Sequence, residues 1–323
     1  MANSKIVKQI QKYKKGFLRK LDSENKSENT LEAYKRNIDM FEEFLEQYDE
    51  EVKLKTIVEN DIFEYLDYRN ENSSMYKSTK IKLANKDYEL STSTKNQIIS
   101  TLKKFFSYIE KNSKSLLDFT NVFEDILIKK PIREPKGLSE NDIFMLIDFL
   151  NVYKKTGKDF THYRNSLLIK IMLFAGARVS EAIHVKFEDF KDCKNDELYE
   201  ITVIGKGSKQ RKIYIEKEFI DEEIDYLLNK SGLFNKFDVI AKTKRLKQMD
   251  RVQLYKAANV IYKQAGVDET MLHALRHTYA KTKVKTVPLP VLQKIMGHSD
   301  INTTSIYTDP SEEMILESLK KKI

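Results

Sequence analysis

The sequence predicts a mainly α-helical protein of two domains, with a small antiparallel β-sheet in the second. The chain has 323 residues, which is long enough for two domains with separate cores. Only five prolines and nine glycines occur, so few positions interrupt a helix. The clearest strand pattern is a pair of β-branched runs, at 199–204 and 211–215, on either side of the basic turn GKGSKQ.

Composition narrows the class of protein further. Lys and Arg total 57 against 49 acidic residues, a net charge of +8 that favours a polyanion such as nucleic acid as a partner. Cys193 is the only cysteine, which excludes an intramolecular disulfide framework and a Cys-rich metal site. No apolar run reaches membrane-spanning length, and no hydrophobic stretch follows the lysine-rich N-terminus. We therefore expect a soluble, cytoplasmic protein without a membrane partner.

The first domain is predicted to be a compact helical bundle with lysine-rich polar faces. Residues 1–20 hold seven basic residues and no acid, which is typical of a DNA-contacting arm or of a solvated, partly ordered helix. Ser27 and Thr30 then start a helix whose apolar residues recur at helical spacing. Helices are predicted from Asn29, after Asn60, over 92–111 and over 121–128.

Two segments interrupt the helical pattern. Residues 72–90 carry several lysines and alternate as a small hairpin would, although a disordered loop fits nearly as well. Residues 129–137, KKPIREPKG, contain two prolines, four basic residues and a glycine, which predicts an extended tether. The domains are accordingly placed at 1–130 and 138–323, with a linker at 131–137.

The second domain is predicted to begin with a capped helix at Ser139, where Asp142 completes a capping-box pattern. A strongly apolar helix from about Tyr163 to Phe174 should form the core. After the hairpin, helices are expected from about residue 216 to the end. A helix beginning near Leu292 breaks at Gly297, a short helix is expected to follow Asp300, and the apolar stripe of 309–323 predicts a last helix.

Four motifs in the second predicted domain together combine basic residues with a tyrosine. They are GARVSEA from Gly176, GKG at Gly205, HALRH from His273, and GH at Gly297 with Tyr307 nine residues after the histidine. A tyrosine oxygen held near a histidine suits nucleophilic attack on an electrophile. Alone, Tyr307 is one of 17 tyrosines and more simply fills a core. The four motifs together favour the chemical interpretation.

The motif set resembles the tyrosine site-specific recombinase family, specifically its Xer-like branch. The phrases GARVSEA, VIGKGSKQR, HALRHTYA and MGHSDINTTSIYTD match that family in order and approximate spacing. The resemblance covers about 138–323, and SENTLEAYKRNIDMFEEFL resembles the family's core-binding domain. It implies a two-domain clamp, in which a helical core-binding domain and a mostly helical catalytic domain close around DNA.

The chemistry of phosphodiester cleavage gives these residues roles. Charge develops on two non-bridging oxygens, which planar guanidinium groups meet bidentately, so Arg178 and Arg276 are predicted to clamp the scissile phosphate. Such cations replace the metal ions of other phosphoryl-transfer enzymes, and no metal or cofactor is expected. The resemblance makes Tyr307 the nucleophile of a 3′-phosphotyrosyl link. The remaining predicted roles are Lys206 as general acid, His273 in proton transfer with Tyr307, His298 as donor to a non-bridging oxygen, and Glu181 and His277 as orienting residues.

Several assignments stay open at this level. Lys209, Arg211 and Lys212 share the hairpin with Lys206 and are predicted DNA-phosphate contacts. Glu181 could equally be an ordinary helix residue without an orienting role. His277 could be a packed or hydrogen-bonded support rather than a catalytic residue. A second candidate surface for DNA-phosphate contacts is the basic run that includes Lys242, Lys244 and Arg245. The alternative is that this run is a solvated loop. His162 and His184 match no motif and are interpreted as structural.

Double-stranded DNA carrying an inverted repeat is the expected partner, bound mainly through salt-dependent backbone contacts. The resemblance implies a tetramer on two DNA sites, formed by exchange of C-terminal helices. It also implies resolution of chromosome dimers at a dif-like site and suggests activation by a septal DNA translocase. Three alternatives remain: an integrase or invertase of a mobile element, a type IB topoisomerase, and a non-enzymatic DNA-binding module. The topoisomerase lacks the GHxxxxTxxIY phrase, and the intact polar set disfavours the module.

Overall fold

The computed structural model describes residues 3–48, 51–72, 90–124, 126, 137–157, 159–205, 210–268 and 271–297. By its contacts the chain divides into two compact units, Met1–Arg133 and Glu134–Ile323. The predicted fold class, mainly helical with a small antiparallel sheet, is confirmed.

The described part of the first unit is helical. Its α-helices are α1 (Ser4–Ser23), α2 (Glu28–Gln47), α3 (Glu59–Asn72), α4 (Thr92–Asn112) and α5 (Thr120–Phe123), with a 3₁₀ turn at Leu54–Thr56. The predicted helix over 121–128 is shorter than expected, because Glu124 and Ile126 lie outside it and residues 127–136 fall outside the described residues. The predicted hairpin or loop at 72–90 likewise falls on residues 73–89, outside the described ranges.

The basic N-terminal segment forms a packed helix rather than a solvated, partly ordered one, and DNA contact by its basic residues stays a prediction. Helix α1 buries an apolar stripe against α2 and α4, and Phe17 packs on Phe105 with ring centroids 5.3 Å apart. The buried residues of the stripe are Ile6, Val7, Ile10, Phe17 and Leu21. Burying side chains of this size stabilises the unit by about 1.5–3 kcal/mol each, so the stripe outweighs the charge of the opposite face.

Aromatic rings hold α2, α3 and α4 together. Tyr65 of α3 is fully buried against Phe41 of α2, with ring centroids 5.0 Å apart in an edge-on arrangement. Its hydroxyl donates to the carbonyl of Asn37 at 3.0 Å and accepts from Arg69 at 2.8 Å. Burial raises the pKa of Tyr65 to about 12. The phenol is therefore a neutral hydrogen-bonding group of the core.

The second unit begins with α6 (Glu140–Thr156) and α7 (Thr161–Phe174). The predicted capping box is present, since the Ser139 hydroxyl accepts from the Asp142 backbone at 3.1 Å and Asp142 accepts from the Ser139 backbone at 3.2 Å. Helix α7 is buried on nearly all sides and forms the predicted core. Helix α8 (Val179–Ala182) is a single turn that follows the end of α7.

The predicted hairpin is confirmed as two strands of a three-stranded antiparallel sheet within the described residues. Its strands are β1 (Phe190–Asp192), β2 (Leu198–Ile204) and β3 (Gln210–Glu216), in the order β1-β2-β3. The register pairs Ile201 with Ile213 and Val203 with Arg211. The three-residue strand β1 was not predicted, because a run so short and polar carries no strand period. The hairpin tip, residues 206–209, lies outside the described residues.

The prediction of continuous helix after residue 216 is wrong for 231–250. A 3₁₀ turn (Lys217–Phe219), α9 (Asp221–Asp225) and a π-helical turn (Tyr226–Lys230) lead into this irregular segment. Gly232 and Leu246 adopt positive φ angles there, and Ile240, Ala241 and Met249 anchor the segment in the core. Helices resume as α10 (Arg251–Ala265), α11 (His273–Lys283) and α12 (Leu289–Met296). The helices predicted after Asp300 lie outside the described residues.

Candidate active site

Arg178 is brought to helix α11 by the tight turn between α7 and α8. Gly176 in this turn has φ +66°, and a β-carbon there would lie 2.5 Å from Cδ1 of the Tyr279 ring. Only glycine combines this backbone conformation with so close an approach. The turn therefore rests directly on α11, the helix that carries His273 and Arg276.

Glu181 joins two arginines through one buried carboxylate. Its side chain is 1% exposed, and Oε1 accepts from Nη1 of Arg178 at 2.9 Å. Oε2 accepts from the Arg178 backbone N–H and from Nη2 of Arg211, both at 2.7 Å. The orienting role predicted for Glu181 has this geometry as its basis, because the carboxylate restrains the guanidinium of Arg178.

Arg211, for which a DNA-phosphate contact is predicted, points towards the protein interior. Its side chain is 11% exposed, and besides Glu181 it binds the carbonyl of Ile295 at 3.2 Å through Nη1. The neighbouring Lys212 points outward and pairs with Glu200 at 2.8 Å. The alternation of β3 explains the difference, since Arg211 shares a face with the buried Ile213 and Ile215. Sequence reasoning missed this, although the period-two pattern of RKIYI contains the signal.

Helix α11 presents His273, Arg276 and His277. Arg276 is 2% exposed, and its two Nη atoms donate to the carbonyls of Gly176 and Met296. The rings of His273 and His277 lie 4.8 Å apart, edge to face. The one-turn spacing therefore brings His273 and Arg276 into one site, next to Arg178.

Three arginines converge on the C-terminal end of α12. The carbonyls of Ile295, Met296 and Gly297 accept from Arg211, Arg276 and Arg178 respectively. A helix leaves its last carbonyls without intrahelical partners, and cations are favourable at this negative end of the helix dipole. Gly297, at φ +62°, ends the helix in the left-handed conformation. The residue that follows this cap in the sequence is His298.

The electrostatics of the site are those of an anion-binding centre. Among the described side chains, Arg178 and Arg211 bind the carboxylate of Glu181, whereas Arg276 donates to backbone carbonyls, so three guanidinium groups are accompanied by one carboxylate. Partial burial, with the charges of Arg276 and Arg178, lowers the pKa of His273. Burial, with His273, Arg276 and Lys281, lowers the pKa of His277 to about 4. Both imidazoles are therefore neutral near pH 7.

Not every predicted site residue can be placed. Lys206, Lys209, His298 and Tyr307 lie outside the described residues. In the second candidate surface, Lys242 pairs with Asp238 at 2.7 Å and is only 13% exposed. Lys244 is 75% exposed and pairs with Asp159 at 2.9 Å, and Arg245 is exposed.

The two remaining histidines lie in local packing contacts. The ring of His184 contacts the Ser180 carbonyl at 2.7 Å. The ring of His162 packs on Tyr153, with centroids 4.3 Å apart. Within the described ranges, no three His, Cys, Asp or Glu residues cluster as metal ligands would. The same part of the chain contains no helix with the length and apolarity needed to cross a membrane.

Comparison with known protein families identifies the chain. The model of the Phage integrase family matches residues 136–314, and that of the Phage integrase N-terminal SAM-like domain matches residues 15–112. The chain belongs to the phage integrase family. The resemblance to tyrosine recombinases seen in the motifs is thereby confirmed, as is the enzyme class.

The alignments with related recombinases extend over nearly the whole chain. Tyrosine recombinase XerC of Staphylococcus aureus is 28% identical over 305 residues, which are 93% of this chain and 92% of the relative. Tyrosine recombinase XerD of Haemophilus ducreyi is 29% identical over 302 residues, 92% of this chain and 91% of the relative.

Solved structures show the same fold. The XerH site-specific recombinase bound to palindromic difH substrate, a post-cleavage complex, has a TM-score of 0.73 and 25% identity, covering 92% of this chain and 81% of that one. A lambda integrase dimer bound to a COC′ core site has a TM-score of 0.65 and 16% identity, covering 94% and 96% of the two chains. The second likeness concerns the fold alone.

Proposed function

We propose that this recombinase cleaves and rejoins DNA at a specific site, with Tyr307 as the nucleophile of a 3′-phosphotyrosyl intermediate. The observation that carries the proposal is the convergence of Arg178 and Arg276 on the turn that precedes His298, with His273 beside both arginines. This turn lies within ten residues of Tyr307 in the sequence. Such an arrangement supplies fixed positive charge where a pentacovalent phosphate gains negative charge.

In the proposed first step, the Tyr307 oxygen attacks the scissile phosphorus and the bond from phosphorus to the 5′ oxygen breaks. The phenol proton passes to His273, and the leaving 5′ oxygen takes a proton from Lys206. Attack by the 5′ hydroxyl of a partner strand reverses these transfers and releases Tyr307. The free energy of the phosphodiester bond is conserved in the protein–DNA link, so strand exchange needs no external energy source.

The electrostatics support two of these roles. The lowered pKa of His273 leaves its imidazole neutral and able to accept a proton near pH 7. Arg178 and Arg276 donate to neutral carbonyls at the end of α12, and a charged phosphate oxygen is a stronger acceptor than a carbonyl. We assign both arginines to the phosphate clamp, His298 to a non-bridging oxygen, and Glu181 and His277 to orientation.

We further propose an Xer-type role, the resolution of chromosome dimers at a dif-like inverted repeat. Support comes from the XerC and XerD relatives, which match along more than nine-tenths of both chains, and from the likeness to the XerH complex with difH DNA. In this proposal residues 1–130 and 138–323 close on the duplex as a clamp, and C-terminal helices are exchanged in a tetramer on two sites. An integrase or invertase of a mobile element uses the same chemistry and differs only in its DNA sites.

A nicked suicide substrate tests the chemistry. Its cleavage releases a short 5′ fragment that diffuses away, so wild-type protein should accumulate a covalent adduct visible on a denaturing gel. Tyr307→Phe should bind the same DNA without forming the adduct. An adduct of undiminished yield with Tyr307→Phe would refute the assignment. Plasmids carrying paired dif-like sites, compared with paired mobile-element ends, separate the two biological roles.

A further inference from the structure

Arg211 is an arginine of the described site to which the sequence analysis assigns no role in catalysis. It emerges from β3 on the face that carries Ile213 and Ile215, and its guanidinium is enclosed by protein on most sides. Nη2 binds the Glu181 carboxylate at 2.7 Å, and Nη1 binds the Ile295 carbonyl at 3.2 Å. One side chain thus connects the sheet, helix α8 and the end of α12.

The stem of Arg211 also packs against the backbone of Gly297. A β-carbon at position 297 would lie 2.6 Å from Cδ and 2.7 Å from Nε of Arg211. The carbonyl of the same glycine accepts from Arg178 at 3.2 Å. The turn that leads to His298 is therefore held from two sides, by the guanidinium of Arg178 and by the stem of Arg211.

The partners of Arg211 set it apart from the two clamp arginines. Its ion pair with Glu181 is buried, with side chains 11% and 1% exposed, whereas the side chain of Arg178 is 32% exposed. Arg276 donates to neutral carbonyls of Gly176 and Met296. A phosphate that binds Arg178 and Arg276 competes for their contacts with α12. Arg211 keeps its bond to the Glu181 carboxylate, which it shares with Arg178, and can continue to cap the helix.

We propose that Arg211 is a positioning residue of the cleavage reaction, a role that rests on the function proposed above. It holds Oε2 of Glu181, so that Oε1 remains on the guanidinium of Arg178. It also holds the end of α12, whose Met296 and Gly297 carbonyls accept from the two clamp arginines. The same strand follows the hairpin tip that contains Lys206. Arg211 therefore aligns the Arg178 guanidinium and the end of α12 without touching DNA.

The experiment measures binding and cleavage separately on the nicked substrate. Arg211→Lys keeps the charge but cannot reach Glu181 and Ile295 with a fixed fork. It should bind DNA with wild-type affinity and the same dependence of the dissociation constant on salt. Its single-turnover cleavage rate at saturating protein should fall about 10–100-fold, the usual effect of removing an orienting partner. Arg211→Gln should be impaired at least as much, and thermal unfolding verifies that each variant is folded.

A coupled variant distinguishes positioning from general structural support. Glu181→Gln should slow cleavage by itself, and adding Arg211→Lys should slow it little further, because both changes break the same link. Multiplied effects would mean that Arg211 does not act through Glu181. Lys217→Ala removes one positive charge at the opposite end of the same strand, where Lys217 pairs with Asp192, and should cleave normally.

Two further outcomes would overturn the proposed role. If Arg211→Lys cleaves at the wild-type rate, the residue positions nothing that the reaction needs. If binding weakens and the logarithmic salt slope falls by about one while saturated cleavage is normal, Arg211 is a phosphate contact. A wild-type protein that forms no adduct overturns the cleavage chemistry and this role with it. A wild-type adduct with unimpaired Arg211→Lys overturns the role alone.

Discussion

At the scale of single residues, the site depends on how guanidinium groups divide their donors between protein and substrate. Arg178 uses Nη1 on a carboxylate and Nη2 on a carbonyl, and Arg276 donates to two carbonyls. These hydrogen bonds fix the plane of each guanidinium group before DNA binds. In the proposed reaction, less reorganisation of these groups is then needed to reach the transition state. The same hydrogen bonds also explain why a 2%-exposed arginine can belong to a substrate site: its neutral acceptors are exchangeable for a charged phosphate.

A leaving group that needs no proton separates the general acid from the clamp. With a 5′-bridging phosphorothioate substrate, Lys206→Ala should recover cleavage close to wild type, because the thiolate leaves without protonation. Arg178→Ala should stay impaired on both substrates, by about 10²–10³-fold if it resembles removal of one oxyanion donor. Cleavage rates on the paired substrates are the measurement. Full activity of Lys206→Ala on the ordinary substrate would transfer the acid role to another group, such as Lys209.

The neutral histidine pair makes the second unit sensitive to acid. Burial lowers the pKa of His277 to about 4, whereas an unfolded chain titrates near ~6.5. Between these values the unfolded state binds the extra proton, so stability is retained above about pH 6.5 and declines towards pH 4. His277→Asn should lose less stability than wild type between about pH 7 and pH 5, as measured by urea unfolding.

Two features of the chain sharpen this test. His273, whose pKa is also lowered, retains part of the pH effect in the variant. His184→Asn removes an exposed histidine and provides the matched control. Equal losses in wild type and His277→Asn would contradict the assignment.

At the scale of elements, short segments position the site more than the long helices do. The single turn α8 supplies the Glu181 carboxylate to the arginine network, the strand β3 supplies Arg211, and the end of α12 supplies three carbonyls. Two left-handed glycines, Gly176 and Gly297, let these segments approach more closely than any side chain would allow. The long helices supply the buried surface that makes this arrangement rigid.

Gly176→Ala tests the close approach of the α7–α8 turn to α11. The added methyl group meets the Tyr279 ring and adopts an unfavourable φ, so we expect a loss of about 1–3 kcal/mol in the free energy of unfolding. Cleavage should fall as well, because Arg178 moves with the turn. Gly232→Ala has the same φ of +66° but nothing within 4 Å of its β-carbon, and should show only the backbone penalty. Equal effects of the two changes would show that the Tyr279 contact is unimportant.

At the scale of the whole molecule, the proposed function includes assembly on DNA. The tail, residues 309–323, has an apolar stripe that needs a surface to cover it. In the proposed exchange it docks on the next protomer, and head-to-tail contacts of this kind close into a ring. Because the tail directly follows Tyr307, docking would connect the position of the nucleophile with assembly.

Deleting residues 312–323 tests the exchange. Single-site DNA binding should persist, because the basic surfaces and the arginine site are untouched. Cooperative binding to paired sites, synapsis and recombination should fall together, as measured by gel shift and plasmid recombination. Replacing the lysines at 320–322 by alanine keeps the stripe and serves as the control. Wild-type recombination by the truncated protein would exclude a requirement for the exchange.

The sequence by itself determined the family, the order of the motifs and most helices, because these depend on local patterns. Ser139 and Asp142 predict a capping box within four residues, and the alternation of apolar and polar residues in RKIYI predicts a strand. Spacing also placed His273 and Arg276 on one helical face. The packed N-terminal helix and the irregular segment 231–250 were not recovered, because burial by distant partners decides whether a basic or apolar run becomes core.

Only the tertiary structure decided which partners the arginines have. Arg211 contacts Glu181, 30 residues away, and Ile295, 84 residues away, and Arg276 reaches back 100 residues to Gly176. No local propensity encodes such contacts: the alternation of RKIYI separates the face of Arg211 from that of Lys212, but it does not specify the acceptors that Arg211 finds. Burial then makes an unpaired charge costly, so the inward residue must find an acceptor. For Arg211 these acceptors are the Glu181 carboxylate and the Ile295 carbonyl, the contacts on which its proposed positioning role rests.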